Sequence, residues 1–250
     1  MFSNVGEDGA AQVVAYNATN GATLWSRHVG NSFVSSPTVV NGVLSVGAGV
    51  ELDRSSKGKL YALNAITGTV LWSATFPPEG NSSKIRTAPL VVNGLVYVAT
   101  EYGRLAAFKA SGCGSQTCAP LWETARLGYV ESTLAYDNGA LYLGSGSDAV
   151  IAINAQTGAT LWTVPTGGFV FASPAVANGV VYIGGGDKKL YAFDEKTGAT
   201  LWTDTFTQDV GTPAIANGVL YVTGDNLYVL NAQTGKLLWT AKGNTNQEPF

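Results

Sequence analysis

The residues best suited to catalysis are few and scattered in this sequence. His28 is the only histidine, and histidine is the side chain that most readily serves as a general base near neutral pH. No serine or cysteine in a nucleophile motif accompanies His28, and catalysis requires a geometric constellation of such groups. We therefore interpret His28 as a polar loop residue, and we predict no catalytic residue.

Two cysteines enclose four residues of the polar segment ASGCGSQTCAP. A short polar loop closed by Cys113 and Cys118 favours a local disulfide, which forms in an oxidising compartment. Two reduced thiols or half of a metal site are the alternatives, although a metal site needs more ligands. The disulfide predicts a periplasmic, cell-surface or extracellular protein. The N-terminal MFSNVGEDG does not resemble a signal peptide, so export would need a signal that is removed or lies upstream.

Carboxylates at tight turns are the candidate metal ligands. The longest such loop, GAGVELDRSSKG (47–58), contains Glu51 and Asp53, which are weak candidates for binding Ca²⁺. A Ca²⁺ site needs six or more converging oxygens, whereas acids at turns usually form hydrogen bonds to the local backbone. We therefore predict no metal and no other cofactor.

Composition excludes several classes of partner. The net charge of -3 lacks the basic face that binding to nucleic acid requires. No apolar run approaches the 18 residues of a transmembrane helix. The 250 residues suffice for one large all-β domain or two small ones.

A repeat marked by tryptophan organises the chain. Every tryptophan follows a leucine, at intervals of 37–50 residues. They are Trp25, Trp72, Trp122, Trp162, Trp202 and Trp239. Asn-Gly pairs between apolar runs predict tight hairpin turns at 41–42, 93–94, 138–139, 178–179 and 217–218. A second turn, Thr-Gly, precedes most of the tryptophans, and Asn20-Gly21 replaces it in the first copy.

Each repeat is predicted to form four short antiparallel strands, A to D, as in 172–177, 180–184, 189–193 and 200–204. Repeated four-stranded sheets of about 40 residues are typical of β-propeller blades, so we predict an all-β, six-bladed propeller over 1–250. The expected blades are a partial one at 1–28 and complete ones at 33–76, 85–125, 130–164, 170–204 and 209–241. The tryptophans are expected to fill the gaps between adjacent blades.

The motif Ala-x-(Asp/Asn)-x-x-Thr-Gly-x-x-x-Trp resembles the tryptophan-docking motif of PQQ-like propeller repeats. Its best copies end at Trp72, Trp162 and Trp202. The resemblance implies a propeller fold and a family that includes quinoprotein dehydrogenases and non-catalytic members such as the outer-membrane assembly lipoprotein. The fold alone does not distinguish the dehydrogenases of this family from its non-catalytic members.

The departures from the quinoproteins favour the non-catalytic branch. Such enzymes resemble eight-bladed rings with adjacent cysteines against the quinone, an additional tryptophan stacked on it, and Ca²⁺ held by Glu, Asn and Asp. Here Cys113 and Cys118 are separated, and the repeat uses all six tryptophans.

Residues just before each strand A are expected to line the rim of the central channel. They vary between repeats while the scaffold residues recur, so they form the candidate ligand site. They are His28, Asn31, Lys84, Arg86, Tyr129, Glu131, Phe169, Phe171, Gln208 and Asp209, with Phe33 beside them. The alternatives are solvated loop residues or an internal Arg-Glu pair.

The sequence thus predicts an exported module that binds a protein or a cell-surface polymer. The competing hypotheses are a fragment of a quinone-dependent dehydrogenase and a structural subunit of a larger assembly or filament. Residues 243–250 are expected to complete the first blade in a closed ring. The alternative is that a further segment or a partner chain fills that edge by β-strand addition.

Overall fold

A computed structural model describes residues 2–7, 10–31, 33–52, 55–78 and 83–242, with only the backbone described at 2–7, 10, 50–52 and 55–56. All regular secondary structure in these ranges is β-strand, and no helix there could span a bilayer. The chain divides into two compact units, Met1–Thr133 and Leu134–Phe250.

The first unit contains three antiparallel sheets in its described residues. The first sheet consists of β1 (Phe2–Glu7), β2 (Ala10–Tyr16) and β3 (Thr23–Gly30). The second consists of β4 (Phe33–Val34), β5 (Thr38–Val40), β6 (Val43–Leu52), β7 (Ser55–Asn64) and β8 (Val70–Phe76). The third consists of β9 (Leu90–Val92), β10 (Leu95–Ala99), β11 (Leu105–Lys109) and β12 (Trp122–Glu123).

Over residues 134–242, the second unit contains three four-stranded sheets, each ordered as in the chain. The fourth sheet consists of β13 (Ala135–Asp137), β14 (Ala140–Ser145), β15 (Ala149–Asn154) and β16 (Thr160–Pro165). The fifth consists of β17 (Ala175–Ala177), β18 (Val180–Gly184), β19 (Lys189–Asp194) and β20 (Thr200–Thr205). The sixth consists of β21 (Ala214–Ala216), β22 (Val219–Thr223), β23 (Asn226–Asn231) and β24 (Leu237–Lys242).

The Asn-Gly pairs form the predicted hairpin turns, which join β5 to β6, β9 to β10, β13 to β14, β17 to β18 and β21 to β22. Asn178, for example, has φ of 53° and Gly179 has φ of 78°, a combination that asparagine and glycine tolerate best. A second turn joins the last two strands, where Asn64 Oδ1 accepts hydrogen bonds from the backbone N–H groups of Ile66 and Thr67. The local turn residues therefore set the length and register of the strands.

Apolar cores fill the spaces between consecutive sheets within each unit. Between the fifth and sixth sheets, Leu190 and Ala192 pack against Leu220 and Leu230, all fully buried. Burying both faces of each inner sheet supplies most of the stability of such a stack.

Four tryptophans bridge neighbouring sheets within a unit, and they are Trp25, Trp72, Trp162 and Trp202. Their indole N–H groups donate to a backbone carbonyl group of the next sheet, as from Trp72 to Ala110 at 3.1 Å and from Trp202 to Ala232 at 3.1 Å. Trp72 is 2% exposed, whereas Trp239 in the sixth sheet is 50% exposed. Tryptophans at the same place in different repeats are therefore buried in one sheet and half-exposed in another.

The predicted disulfide between Cys113 and Cys118 is present. Its loop lies against β8, because Ser73 N–H donates to the carbonyl of Gln116 and Cys118 N–H donates to the carbonyl of Ser73. The disulfide-bonded loop precedes the last strand of the third sheet, β12, which has two residues.

The edge of the first sheet is described only in part. β1 pairs with β2, as expected for a B strand beside a C strand. The predicted closing segment 243–250 lies outside the described residues, so ring closure and the six-blade boundaries stay predictions.

Candidate functional site

A buried carboxylate, Glu101, organises a polar cluster in the first unit. Arg86 Nη2 lies 3.0 Å from Glu101 Oε1, and the Tyr129 hydroxyl donates to the same oxygen at 2.7 Å. The Tyr129 hydroxyl oxygen also lies 3.3 Å from Glu131 Oε1. Two of the predicted site residues, Arg86 and Tyr129, therefore converge on the Glu101 carboxylate, and a third, Glu131, lies beside the Tyr129 hydroxyl.

Aromatic side chains surround this cluster. The Arg86 guanidinium lies 5.6 Å from the centre of the Phe33 ring, a cation–π distance, and Tyr102 meets Tyr129 edge-to-face at 6.0 Å. Burial, followed by the hydrogen bond to Glu101, raises the pKa of Tyr129 above its usual range. Tyr129 therefore remains a neutral hydrogen-bond donor throughout the physiological pH range.

Backbone hydrogen bonds hold the loops that carry the cluster. Glu101 N–H donates to the carbonyl of Lys84, and Val130 N–H donates to the carbonyl of Glu101. These bonds place the turn between β10 and β11 beside the loops that precede β9 and β13. The Arg86 side chain remains 36% exposed, so the cluster can present a guanidinium group to a ligand.

The second unit presents a solvent-facing pair of phenylalanines. Phe169 and Phe171 stack with their ring centres 5.7 Å apart, and they are 57% and 44% exposed. Both lie in the loop between β16 and β17, which is fixed by a 2.8 Å hydrogen bond from Gly186 N–H to the carbonyl of Phe169. The pair lines a cavity of about 380 Å³ together with Asp209 and Gly211.

Asp187 contacts the loop that carries this aromatic pair through its side chain. Its carboxylate accepts hydrogen bonds from the Tyr191 hydroxyl and from Gly167 N–H, and Lys189 Nζ lies 3.7 Å away. A Cβ atom at Gly167 or Gly185 would come within 2.6 Å of the Asp187 carboxylate, so a side chain at either position would displace that carboxylate. Burial and the bond to Asp187 raise the pKa of Tyr191 to about 12.

The other predicted site residues lie apart from these two groups or at their edges. His28 is an exposed residue within β3, because the strand continues to Gly30, and it is not a loop residue as expected. Asn31 is exposed in the loop that follows. Gln208 and Asp209 line a second surface cavity, of about 460 Å³, together with Asp225. Asp225 accepts a hydrogen bond from the Tyr228 hydroxyl, which lowers the pKa of that carboxyl.

The candidate Ca²⁺ ligands fall largely outside the described residues. Asp53 is not described, and of Glu51 only the backbone, within β6, is described. Within the described ranges, no group of three or more His, Cys, Asp or Glu side chains could hold a metal ion. The weak Ca²⁺ assignment therefore stays a prediction.

Sequence reasoning missed Glu101, the centre of the first cluster. The signal was available, because Glu101 occupies the same turn in its repeat as Asp148, Asp187 and Asp225 occupy in theirs. These turns lie at the same end of their sheets as the loops that carry Arg86 and Phe169. Aligning the turn acids with the loop residues would have paired Glu101 with Arg86.

The arrangement suits recognition of a ligand by surface contact. The first unit offers a guanidinium, two carboxylates and tyrosines, and the second offers paired phenyl rings beside a carboxylate. Arginine and aromatic residues are enriched in protein interfaces, where they supply much of the binding energy.

Comparison with known proteins gives matches along nearly the whole chain. Residues 4–112 and 113–248 match the family profile described as outer membrane protein assembly factor BamB. A tetrathionate hydrolase of Acidianus ambivalens is 31% identical over 102 residues, covering 38% of this chain and 18% of that protein. The outer membrane protein assembly factor BamB of Yersinia pestis is 31% identical over 97 residues, covering 39% of this chain and 23% of that protein. The matched regions thus span less than a quarter of these relatives.

A solved structure confirms the predicted fold class. The crystal structure of BamB from Moraxella catarrhalis superimposes with a TM-score of 0.69 at 19% identity, covering 96% of this chain and 76% of that chain. At this identity the likeness shows the fold, which is an all-β propeller of four-stranded antiparallel blades.

Proposed function

We propose that this chain, which belongs to the family of outer membrane protein assembly factor BamB, is a non-catalytic propeller that binds protein partners during outer-membrane protein assembly. The observation that carries the proposal is the stacked, exposed pair Phe169 and Phe171. Family membership supplies the biological context, and the aromatic pair supplies a surface suited to a protein partner.

Exposed adjacent phenylalanines are costly in a soluble protein unless a partner covers them. Apolar surface gains about 25 cal/mol for each Å² removed from water, so covering two half-exposed phenyl rings contributes substantially to binding. Asp209 is among the residues that line the same cavity. We infer that this surface takes an apolar or aromatic side chain, with a basic group of the partner directed to Asp209.

The Glu101 cluster in the first unit is a second proposed contact surface. Its Arg86 guanidinium is held by Glu101 and Phe33, so little side-chain freedom is lost when a partner carboxylate or backbone carbonyl binds it. Tyr129 is likewise held in place by Glu101. The cluster combines the residue types that dominate binding energy in interfaces.

Photo-crosslinking tests the proposed role of the phenylalanine pair. A photoreactive phenylalanine analogue at position 169 should form adducts in cells with proteins of outer-membrane assembly. The matched control is the same analogue at Leu161, which is 50% exposed on β16 of the same unit. Equal adducts at the two positions, or adducts only with polysaccharide, would contradict the proposal.

A periplasmic location is part of the proposal. The disulfide between Cys113 and Cys118 requires an oxidising compartment to form and persist. Fractionation of the source cells, with thiol alkylation before lysis, should recover the oxidised chain in the periplasm. Recovery of reduced protein in the cytosol would exclude this location.

A second candidate function is enzymatic, and the similarity to a tetrathionate hydrolase favours it. Incubating the purified chain with tetrathionate and measuring its disappearance tests hydrolysis. Reconstitution with pyrroloquinoline quinone and Ca²⁺, followed by dye-linked alcohol oxidation, tests the dehydrogenase alternative. We expect no turnover in either assay.

A further inference from the structure

One position of the repeat differs between neighbouring clefts of the second unit, where a cleft is the space between two consecutive sheets. The position follows the third strand of a sheet, and its backbone carbonyl accepts the indole N–H of the preceding sheet's tryptophan. Trp162 Nε1 donates to Glu195 at 2.9 Å, and Trp202 Nε1 donates to Ala232 at 3.1 Å. The backbone N–H groups of Glu195 and Ala232 also donate to equivalent glycines, at 2.9 and 3.0 Å. The glutamate and the alanine therefore leave the backbone at equivalent places.

The Glu195 side chain occupies the cleft between the fourth and fifth sheets. Glu195 is 4% exposed, and its carboxylate accepts hydrogen bonds from the Tyr142 hydroxyl at 3.1 Å and from Asn138 Nδ2 at 3.3 Å. The centre of the Tyr142 ring lies 5.9 Å from that of Trp162. This cleft therefore shows how the repeat binds a carboxylate, with one tyrosine hydroxyl and the amide of one Asn-Gly turn as the donors.

The cleft between the fifth and sixth sheets carries the same two donors. Asn178 and Tyr182 occupy the register positions that Asn138 and Tyr142 occupy one sheet earlier. The centre of the Tyr182 ring lies 5.9 Å from that of Trp202, which is the same separation as in the preceding cleft. The donor sides of the two clefts therefore match, and the residue that faces the donors is an alanine instead of a glutamate.

These two donors have no acceptor among the described residues. Tyr182 is 3% exposed, and neither its hydroxyl nor the Asn178 side chain forms a hydrogen bond within the part of the chain that the structure describes. Burial raises the pKa of the Tyr182 hydroxyl, which therefore stays protonated as a donor near neutral pH. Both side chains line a cavity of about 810 Å³ together with Trp202 and Ala232. Because buried polar groups are almost always hydrogen-bonded, the Tyr182 hydroxyl points to an acceptor that a ligand supplies.

The alanine by itself leaves room but does not supply the donors. In the first unit, Ala110 occupies the equivalent position, and a cavity of about 560 Å³ lies beside it between the second and third sheets. Ser45 lines that cavity at the place in the repeat where Tyr182 lines the other, so a serine replaces the aromatic donor there. The donors that bind Glu195 are therefore repeated in the cleft beside Ala232.

Described residues alone define this cleft. Its lining falls within residues 178–233 of the second unit and comes from both of the sheets that face each other. The cleft lies at the end of the sheets that carries the Asn-Gly turns. β24 reaches Lys242 opposite Asn226, at the other end of the sixth sheet. The site can therefore be argued from the second unit by itself.

We propose that the cleft beside Ala232 binds the side-chain carboxylate of a glutamate from a protein partner. This carboxylate would accept hydrogen bonds from Tyr182 and Asn178, as the Glu195 carboxylate does from the equivalent residues. Ligand pockets occupy roughly 300–1,000 Å³, so a cavity of about 810 Å³ admits the backbone next to the glutamate as well as its side chain. The proposal rests on the proposed function as a protein-binding propeller, and it specifies a residue that the partner supplies.

Titration of the purified chain with a blocked glutamate, N-acetylglutamate α-amide, tests the proposal. The indole N–H resonance of Trp202, identified by its loss in Trp202→Phe, should shift and saturate in NMR spectra. The blocked glutamine should bind at least about 5-fold more weakly, because hydrogen bonds to a charged acceptor are stronger than those to a neutral one. Tyr182→Phe should weaken binding of the blocked glutamate about 10-fold. The matched control is Tyr142→Phe, which removes the equivalent hydroxyl from the cleft that Glu195 occupies and should leave the affinity unchanged.

Exchanging the two side chains between the clefts gives the sharpest measurement. Ala232→Glu should supply the carboxylate from the chain itself, so the blocked glutamate should no longer shift the Trp202 resonance and the melting temperature should rise. Glu195→Ala should create a second site with the same donors, so the blocked glutamate should then also shift the indole resonance of Trp162. Neither change alters a donor.

Three results would overturn the proposal. One is a wild-type chain whose Trp202 resonance does not shift at the highest soluble concentration of blocked glutamate. Another is equal affinity for the blocked glutamate and the blocked glutamine, or affinity that Tyr182→Phe leaves intact. The third is tighter binding of free propionate than of the blocked glutamate, because the occupant would then be a small carboxylate. Crosslinking at Phe169 tests the proposed function separately, since Phe169 lines a different cavity, so adducts there without a Trp202 shift would exclude this site alone.

Discussion

The Tyr142 hydroxyl lies 3.1 Å from Glu195 Oε1, and it donates a hydrogen bond to a carboxylate that is only 4% exposed. Asn138 Nδ2 lies 3.3 Å from the same oxygen. The other described repeats have alanine at the position of Glu195. The fourth and fifth sheets are therefore joined by a buried polar group as well as by the Trp162 contact.

Glu195→Ala should show how much the Glu195 carboxylate, which stands where the other repeats have alanine, contributes to the free energy of unfolding. Removing the carboxylate leaves the buried Tyr142 hydroxyl without its closer acceptor, so we expect a loss of about 1–3 kcal/mol in the free energy of unfolding. Adding Tyr142→Phe should recover part of that loss, because the unpaired hydroxyl is removed. Urea denaturation of both variants measures the coupling. Additive losses would show that the bond contributes little.

The raised pKa of Tyr191 predicts instability in alkali. Neutral Tyr191 donates to Asp187 in the folded chain, and its pKa is about 12 against an ordinary value of 10.0. The stabilisation is fully present below pH 10 and is lost as the pH rises from 10 towards 12. A shift of this size contributes about 3 kcal/mol, so Tyr191→Phe should flatten the pH dependence by about that amount. Denaturation curves over this range, at constant ionic strength, provide the measurement.

Trp72 and Trp239 should differ strongly in their effect on stability. Trp72→Ala removes an indole that is 2% exposed and hydrogen-bonded to Ala110, so we expect a loss of about 3–5 kcal/mol. Trp239→Ala removes a half-exposed indole and should cost less than about 2 kcal/mol. Thermal denaturation at low protein concentration avoids any contribution from association. Equal losses in the free energy of unfolding would contradict the different burial of the two indoles.

The disulfide should stabilise the loop against β8. Closing so short a loop contributes roughly 2 kcal/mol in the chain-entropy model, so Cys113→Ser with Cys118→Ser should lower the melting temperature without unfolding the chain. Thiol titration of the unfolded, unreduced wild type should find no free thiol. Detection of two thiols would exclude the bond in the isolated protein.

Local sequence signals predicted most of the strands correctly. The strand predicted at 180–184 is observed at Val180–Gly184, and the one predicted at 200–204 is observed at Thr200–Thr205. The Asn-Gly and Thr-Gly turns between them act over two to four residues, so the hairpins can be recognised without any knowledge of distant contacts. The interpretation of His28 as a loop residue was wrong because β3 continues past it to Gly30, where the turn-type pair Gly30-Asn31 follows.

The candidate site was predictable only in part. Its loops were identified because their residues vary while the scaffold repeats, and Arg86, Tyr129 and Phe169 all lie in such loops. The carboxylate at the centre of the first cluster, Glu101, is separated from Arg86 by a complete hairpin. The ion pair of Glu101 with Arg86 therefore depends on the tertiary contact between the turn that follows β10 and the loop that precedes β9.

The sequence by itself determined the all-β class, the phase of the repeat and the family, because these follow from short-range turn chemistry and from residues that recur at a fixed spacing. The tertiary structure decided which copies of a recurring residue are covered. Trp72 and Trp239 occupy the same place in their repeats, yet one is buried and the other is half-exposed. Burial depends on which sheet lies against a face, and that neighbour is remote in the chain, so no local pattern records it.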